Sequence, residues 1–396
     1  MVSKWQSFED YIYANLHLGV KPLARKIIKD NGLDLETDFN SLSCFIKRRK
    51  NKHHKALQEE CDEVGIPKDS VNHYWYKGKN FSLHVKGEEQ KLEEEDIKSA
   101  VLGALKNYSK PYIKKPKKTN KKALKVVISD AHVGLDPDPN GESLFNYQYG
   151  PEIFYNHLDQ VYQSIYDQVI NNGSFDLFIL DDLGDGLDGY NGFTTRGGHK
   201  LDQNLTNKEA FNTYVKGKYE LIRRVVELGV ATKYIIRNVS NCNHGGDFGW
   251  TANRCIELMI EHSIEADIDY DIIDNFMKHY EWGNHTFILT HGKDKKFMNR
   301  GLPITLNDRA INFINDYIDH YGINSKYIHV EKGDLHQVAY QRTKKFDYRN
   351  YMSFAPPSAW VTHNFGDCYS GFSLQIVPKE TNLIQHIDYF FDLVKG

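Results

Sequence analysis

The sequence predicts an α/β protein preceded by a smaller helical unit. From Ala123 onward, β-branched runs alternate with stretches of helical periodicity and end in an all-strand tail, the pattern of a mixed sheet or two stacked sheets. Before Lys106, apolar residues recur at helical spacing instead. Between the two, Lys106–Lys122 holds eight lysines, two prolines and no acid, a composition that stays extended and solvated. The expected organisation is therefore a helical unit over 1–105, a linker over 106–122 and an α/β domain over 123–396.

The N-terminal elements follow from spacing. Phe8, Tyr11, Ile12 and Leu16 share one helical face, and Pro22 stands near the start of a second helix carrying Leu23, Ile27 and Ile28. Asn31-Gly32 ends that helix with residues suited to positive φ. A third helix is expected over Phe39–Lys50, with Leu42, Phe45 and Ile46 inward and four basic residues at its end. Val71–Val85 then reads as two strands around Lys77-Gly78-Lys79. Helix, helix, turn and basic helix followed by a hairpin is the outline of a winged helix-turn-helix. A basic helix end also complements the helix macrodipole, so nucleic-acid contact and a plain three-helix unit stand about level.

In the α/β region ALKVVIS is a buried strand, Glu152–Ile170 a helix and DLFIL the next strand. Lys208–Leu228 is a helix, TKYIIRNV a strand and Trp250–His262 a helix. Strand HTFILT, helix Asn307–Tyr321 and strand KYIHV follow, and short strands are expected around Tyr351–Phe354, Phe372–Val377 and His386–Phe391.

The net charge of −3 hides an uneven distribution. Residues 1–105 balance 17 Lys/Arg against 17 Asp/Glu, whereas the region from Ala123 carries 25 basic and 36 acidic residues. An acidic domain built around cations loses part of its self-repulsion when they bind, and a basic stretch beside it can hold a polyanion. Five cysteines without a CxxC pair argue against a disulfide framework or a thiolate zinc site and for a reducing, cytoplasmic setting. The first residues lack the plan of a signal peptide, and no apolar run approaches the about 20 residues that span a bilayer, so no membrane partner is expected.

Five polar clusters punctuate the α/β region, each just after a β-forming run: SDAHVG (Asp130, His132), LGDGLD (Asp185, Asp188), NCNHGG (Asn243, His244), THG (His291) and GDLHQ (Asp334, His336). Strand C-terminal ends are where ligands sit in such domains. Taken singly, each cluster reads better as a hydrogen-bonded loop. Together they deliver oxygen and imidazole donors, without thiolate, to one sheet edge, a set suited to two divalent cations. Two such ions about 3.5–4 Å apart clamp the attacking and leaving oxygens of a phosphoryl displacement and lower the pKa of the water between them. Asp185 is placed to bridge, Asp181, Asp182 and Asp188 to cap the loop or orient ligands, and His244 to protonate a leaving oxygen.

The order DxH, GDxxD, NH, H and closing xxH resembles the calcineurin-like metallophosphoesterase superfamily over roughly Ala123–Phe391. The resemblance implies a four-layer αββα sandwich. It implies that Asp130, His132, Asp185 and His336 hold one metal, that Asp185, Asn243, His291 and Asp334 hold the second, and that His244 is the acid. The third block has Cys242 where the family has glycine, and the fifth has Asp334 where it has histidine. A carboxylate there adds negative charge and favours harder ions, Mn²⁺ first, with Mg²⁺, Fe or Zn²⁺ as alternatives.

For substrate, Gly189–Gln203 follows the second block, and Arg196 and His199 are candidate phosphate contacts; an ordinary solvated loop is the competing reading. The GDYVDRG and RGNHE signatures of the protein Ser/Thr phosphatases do not occur, nor does the tyrosine ligand of purple acid phosphatases. The helical unit and lysine-rich tether point to nucleic acid, DNA before RNA. The chain is thus similar in kind to the double-strand-break repair nuclease branch and to phage-encoded DNA phosphodiesterases. A phosphomonoesterase and a non-catalytic DNA-binding regulator are the alternatives, and a homo-oligomer is compatible with either.

Overall fold

The computed structural model describes residues 4–15, 19–63, 73–77, 82–86, 116, 119–141, 145–294, 301–366 and 368–395, with backbone alone for residues 14, 36, 53–63, 73–77 and 82–86. The chain forms two compact units, Met1–Leu92 and Glu93–Gly396. Most of the expected linker 106–122, position 16 of the first helix and the hairpin turn at 78–81 lie outside the described residues.

The first unit contains helices α1 (Glu9–Ala14), α2 (Val20–Asp30) and α3 (Leu35–Glu63) and an antiparallel hairpin, β1 (His73–Lys77) with β2 (Ser82–Lys86). Ile12, Leu23, Ala24, Ile27, Ile28, Leu42 and Ile46 form its core with Trp5. One expectation is corrected: the third helix does not stop at Lys50 but runs on to Glu63. No glycine or proline occurs between residues 35 and 63, so nothing in the chain breaks it there.

The second unit is built on two sheets. The six-stranded sheet holds β3 (Lys122–Ile128), β4 (Phe175–Asp182), β5 (Ala231–Val239), β6 (Ile268–Ile273), β12 (Gly371–Pro378) and β13 (Gln385–Phe390), in the order β13-β12-β3-β4-β5-β6. Strands β3 to β6 run parallel, and β12 and β13 add antiparallel neighbours at one side. The five-stranded sheet holds β7 (Lys278–Trp282), β8 (His285–Thr290), β9 (Tyr327–Lys332), β10 (Ala339–Arg342) and β11 (Asp347–Asn350), in the order β10-β11-β9-β8-β7.

Strand periodicity produces the layers. Leu124, Val126 and Ile128 of β3 pack outward with Phe178 and Leu180 against helices α4 (Pro151–Asn172), α5 (Asn207–Leu228) and α6 (Gly246–Ser263). The alternate residues Ala123 and Val127, with Leu177, Ile179 and Ile235, face Phe287 and Leu289 of the other sheet. Ile288 and Val330 on that sheet's far face meet Ala310, Ile314 and Ile318 of α7 (Asp308–His320). Helix, sheet, sheet, helix is the four-layer order.

Between the sheets, Lys125 of β3 is fully buried and pairs with Asp181 of β4 at 2.7 Å and with Glu331 of β9. Tyr280 donates to Asp181 (2.6 Å) and Tyr351 to Glu331 (2.8 Å). Removing one partner of such a buried ion cluster is costly, and its contacts tie β3 and β4 of one sheet to β9 of the other. That tie matters because the polar clusters come from both sheets.

The strand expected around Tyr351–Phe354 is also corrected. Its backbone crosses between sheets, Tyr351 N–H bonding Lys332 O and Phe354 N–H bonding Ser129 O, so no single ladder can claim it. The half-buried strands β6, β7, β10 and β11, and helix α8 (Ala359–Phe365), are not predicted by the periodicity. Among the described residues, no helix is long and apolar enough to cross a membrane.

Candidate metal centre

All five clusters fall directly after strand ends: Asp130 after β3, Asp185 after β4, Asn243 after β5, His291 after β8 and Asp334 after β9. The backbone there is unusual. Asp130, His132, Asp185, Asp334 and His336 all have positive φ, between 39° and 73°, among eight such non-glycine residues described. Left-handed backbone costs on the order of 1–3 kcal/mol per residue and persists where the surroundings over-determine it. Gly333 is required for a different reason: a Cβ there would meet Ser129 Oγ at 2.2 Å and Asp130 Oδ2 at 3.0 Å.

The donors converge. Oδ1 of Asp130 lies 3.3 Å from Nε2 of His336 and 3.6 Å from Nε2 of His132, and those two ring nitrogens are 3.2 Å apart. Beside them Asp185 Oδ2 lies 2.9 Å, and Asn243 Oδ1 3.1 Å, from Nε2 of His291. Asp334 Oδ1 stands farther off, 3.9 Å from the same nitrogen. Three triples could each hold an ion, Asp130 with His132 and His336, Asp130 with Asp185 and His291, and His132 with Asp188 and His244, the donor atoms of each lying within 4.8 Å of one another. Most of these side chains are buried: Asp130, Asp185 and His291 almost completely, with His336 and His244 the more open members.

The outer contacts aim the ligands inward. His132 Nδ1 lies 2.9 Å from Asp188, and His291 Nδ1 lies 2.9 Å from the Leu183 carbonyl. With those nitrogens donating, both Nε2 lone pairs face the centre. Asp130 Oδ2 accepts from Ser129 Oγ and from Asp334 N–H (3.1 Å). Its Oδ1, like Asp188 Oδ2 and His336 Nδ1, is buried without a hydrogen-bond partner. An orphaned carboxylate oxygen facing two imidazole nitrogens fits a divalent cation by donor chemistry.

Electrostatics agrees. Burial alone would lower His291, but the Asp185 carboxylate overcomes it and pushes the ring up to about 9. Burial likewise opposes protonation of His132, yet Asp130 and Asp188 hold it well above the ordinary histidine range. Asp185, although buried, is pulled below the usual carboxylate range by His291, His244 and His132. Protons on these rings stand in for the positive charge the carboxylates demand.

His244 is placed differently. Its N–H donates to Asp185 Oδ1 (2.8 Å), its Nδ1 lies 3.1 Å from Asp188, and its ring meets that of His132 edge to face at 4.5 Å. Arg196 lies beside the site, its N–H bonded to Asn243 O at 3.0 Å, while its guanidinium donates to Lys293 O and Asn241 Oδ1. In this state the guanidinium clamps two loops. His199 is exposed on the same loop, its N–H donating to Thr194 Oγ1.

Two groups behind the site had little sequence signal. Asp188 orients two histidines at once, a role the GDxxD spacing hinted at only in general terms. Asp182 is buried against Lys218 and Tyr214 and accepts from Gly184 N–H (3.1 Å), holding the turn that carries Asp185. Nothing local in the sequence marks Lys218 as its partner.

No family model matches the chain, and no curated protein matches it. Solved structures do. Zinc-bound Vps29 from Entamoeba histolytica is 13% identical, with 68% of this chain and 99% of that one covered and a TM-score of 0.30. An archaeal phosphodiesterase is 10% identical over 67% of this chain and 99% of that one, with a TM-score of 0.33. A Staphylococcus aureus putative 5'-nucleotidase is 12% identical over 69% and 54%, with a TM-score of 0.30. The chemistry of this chain stands on its own side chains.

Proposed function

We propose that this chain is a divalent-metal-dependent phosphoesterase of the calcineurin-like kind that hydrolyses phosphodiester bonds of nucleic acid, DNA before RNA. The observation that carries the metal-dependent reading is the buried convergence of Asp130, His132, Asp185, His291 and His336, with Asp130 Oδ1 left unpartnered among ring nitrogens. Asp130, His132, Asp185 and His336 would hold one cation, and Asp185, Asn243, His291 and Asp334 a second, Mn²⁺ being favoured by the oxygen-rich set. When bound, such a pair supplies a nucleophile at neutral pH and charge stabilisation for a phosphoryl displacement.

The chain's own residues do the rest. Asp188 accepts a hydrogen bond from Nδ1–H of His244, which steadies the ring as an imidazolium and leaves Nε2–H free to give its proton to the departing oxygen. Asp185 and Asp130 hold the neighbouring histidines in one orientation, so no ligand must reorganise during the reaction. Arg196 orders the rim, and His199 offers an exposed imidazole there to a phosphate.

The nucleic-acid part of the reading rests on the N-terminal three-helix unit and on the eight lysines of 106–122. The test is incubation with labelled single- and double-stranded DNA and RNA in Mn²⁺, Mg²⁺ or chelator, beside p-nitrophenyl and bis-p-nitrophenyl phosphate. Metal-dependent cleavage of a nucleic acid that Asp185→Asn abolishes is the expected result. Strong preference for the monoester would instead establish a phosphomonoesterase. No hydrolysis with any metal would leave a non-catalytic DNA-binding protein.

A further inference from the structure

The second half of the metal centre holds a cation of the chain's own. Nζ of Lys293 lies 3.5 Å from Asp334 Oδ1, the oxygen that faces His291 Nε2 across 3.9 Å. The two members differ in freedom: the Asp334 side chain is 9% exposed, that of Lys293 48%. Lys293 is not loose at its base, because its carbonyl accepts from the Arg196 guanidinium, whose other arm grips Asn241. Its main chain is thus pinned two residues beyond His291, and only the flexible stem decides where the ammonium rests.

The two halves of the centre differ in this respect. Around Asp130, His132 and His336 no lysine ammonium stands at ion-pair distance from a member of that triple among the described residues; the buried Lys332 ammonium acts on Asp130 and Asp334 alike and so does not distinguish the halves. Beside His291 and Asp334, a half-exposed ammonium already stands 3.5 Å from the carboxylate. A divalent ion arriving there meets a ligand already paired with a cation, and a like charge close by, in a site walled from solvent on the protein side.

We infer that Lys293 is the resident counter-cation of Asp334, so that two metal ions bind with unequal affinity and the second enters only as the ammonium swings away. The inference rests on the two-cation reading above and concerns the ratio of the two affinities. The half-exposed stem has solvent to swing into, and the displaced ammonium remains at the rim, where an anionic substrate arrives.

The test is calorimetric titration of the full metal-free chain with Mn²⁺, with bound ion counted independently by manganese electron paramagnetic resonance. The native chain is expected to take up two ions with separable constants. Lys293→Met should tighten the weaker step by about tenfold or more and leave the tighter one within about twofold. Lys293→Arg, which keeps the charge, should behave like the native chain. Asp334→Asn should weaken the second step and erase the effect of Lys293→Met in the double variant. The inference is overturned if Lys293→Met leaves the ratio of the two constants unchanged. Failure of the native chain and of Lys293→Met alike to take up a second Mn²⁺ is a different result, read from stoichiometry, and removes the two-cation reading on which the inference rests.

Discussion

Oδ1 of Asp188 stands 3.1 Å from Nδ1 of His244, and the same oxygen lies 2.9 Å from Nδ1 of His132. One buried carboxylate therefore sets the ring orientation of a metal-ligand candidate and of the candidate acid together. Asp188→Asn keeps the shape but removes the charge that both N–H groups require. Metal affinity and turnover of bis-p-nitrophenyl phosphate are each expected to fall by about 10- to 100-fold. A variant with native values for both would show that the two contacts have no functional part.

The His244 ring bonds Asp188 and only its backbone reaches Asp185, so the acid role predicts a loss of turnover without a loss of metal, whereas membership of the His132–Asp188–His244 triple predicts both. His244→Ala is expected to retain metal stoichiometry while turnover drops by roughly 10²–10⁴-fold. Bound metal measured beside hydrolysis distinguishes the roles, and loss of metal would reassign His244 to the ligand set.

Metal binding should rise with pH. Although burial opposes it, the Asp185 carboxylate raises His291 from 6.5 to about 9, so an incoming ion displaces a proton throughout the range between them. Manganese affinity is expected to climb between pH 7 and pH 9 with release of a proton, seen as a buffer-dependent heat in calorimetry. In the metal-free chain the sign is opposite. A raised histidine contributes stability fully below its unfolded value, and that contribution is lost as pH passes about 9. A metal-free chain whose stability does not fall from pH 7 to pH 9 would contradict a proton held by His291.

The turn carrying Asp185 is supported from behind by Lys218 and Asp182, both buried. Lys218→Met leaves the Asp182 carboxylate without its cation inside the protein. Such a break costs about 3–5 kcal/mol, measurable as a lower urea midpoint. Asp182→Asn combined with Lys218→Met should recover part of that loss, because the stranded charge is then gone.

Much of the site was legible because each cluster directly follows a β-run, and parallel strands present their C-terminal ends to one edge. Asp130, Asp185, Asn243, His291 and Asp334 needed no long-range information to be singled out. The half-buried strands β6, β7, β10 and β11 were less legible, since polar sequences such as KHYEW lack a continuous apolar run. The third helix is longer than its sequence suggests because the basic run Lys47–Lys50 resembles a helix end, although no breaker follows until Gly65.

What the sequence by itself determined was local: which runs form strands, which donors stand at their ends, and where helical periodicity gives way to alternation. Those properties depend on neighbours a few positions apart. The tertiary structure decided the rest. Lys125 meets Glu331 across 206 positions and ties one sheet to the other. Asp188 meets His132 and His244 across 56 positions in opposite directions, and Lys293 meets Asp334 from another strand end. Chain order does not encode such distances. They arise when two sheets, each with an apolar inner face, bury those faces against each other and bring their polar ends together.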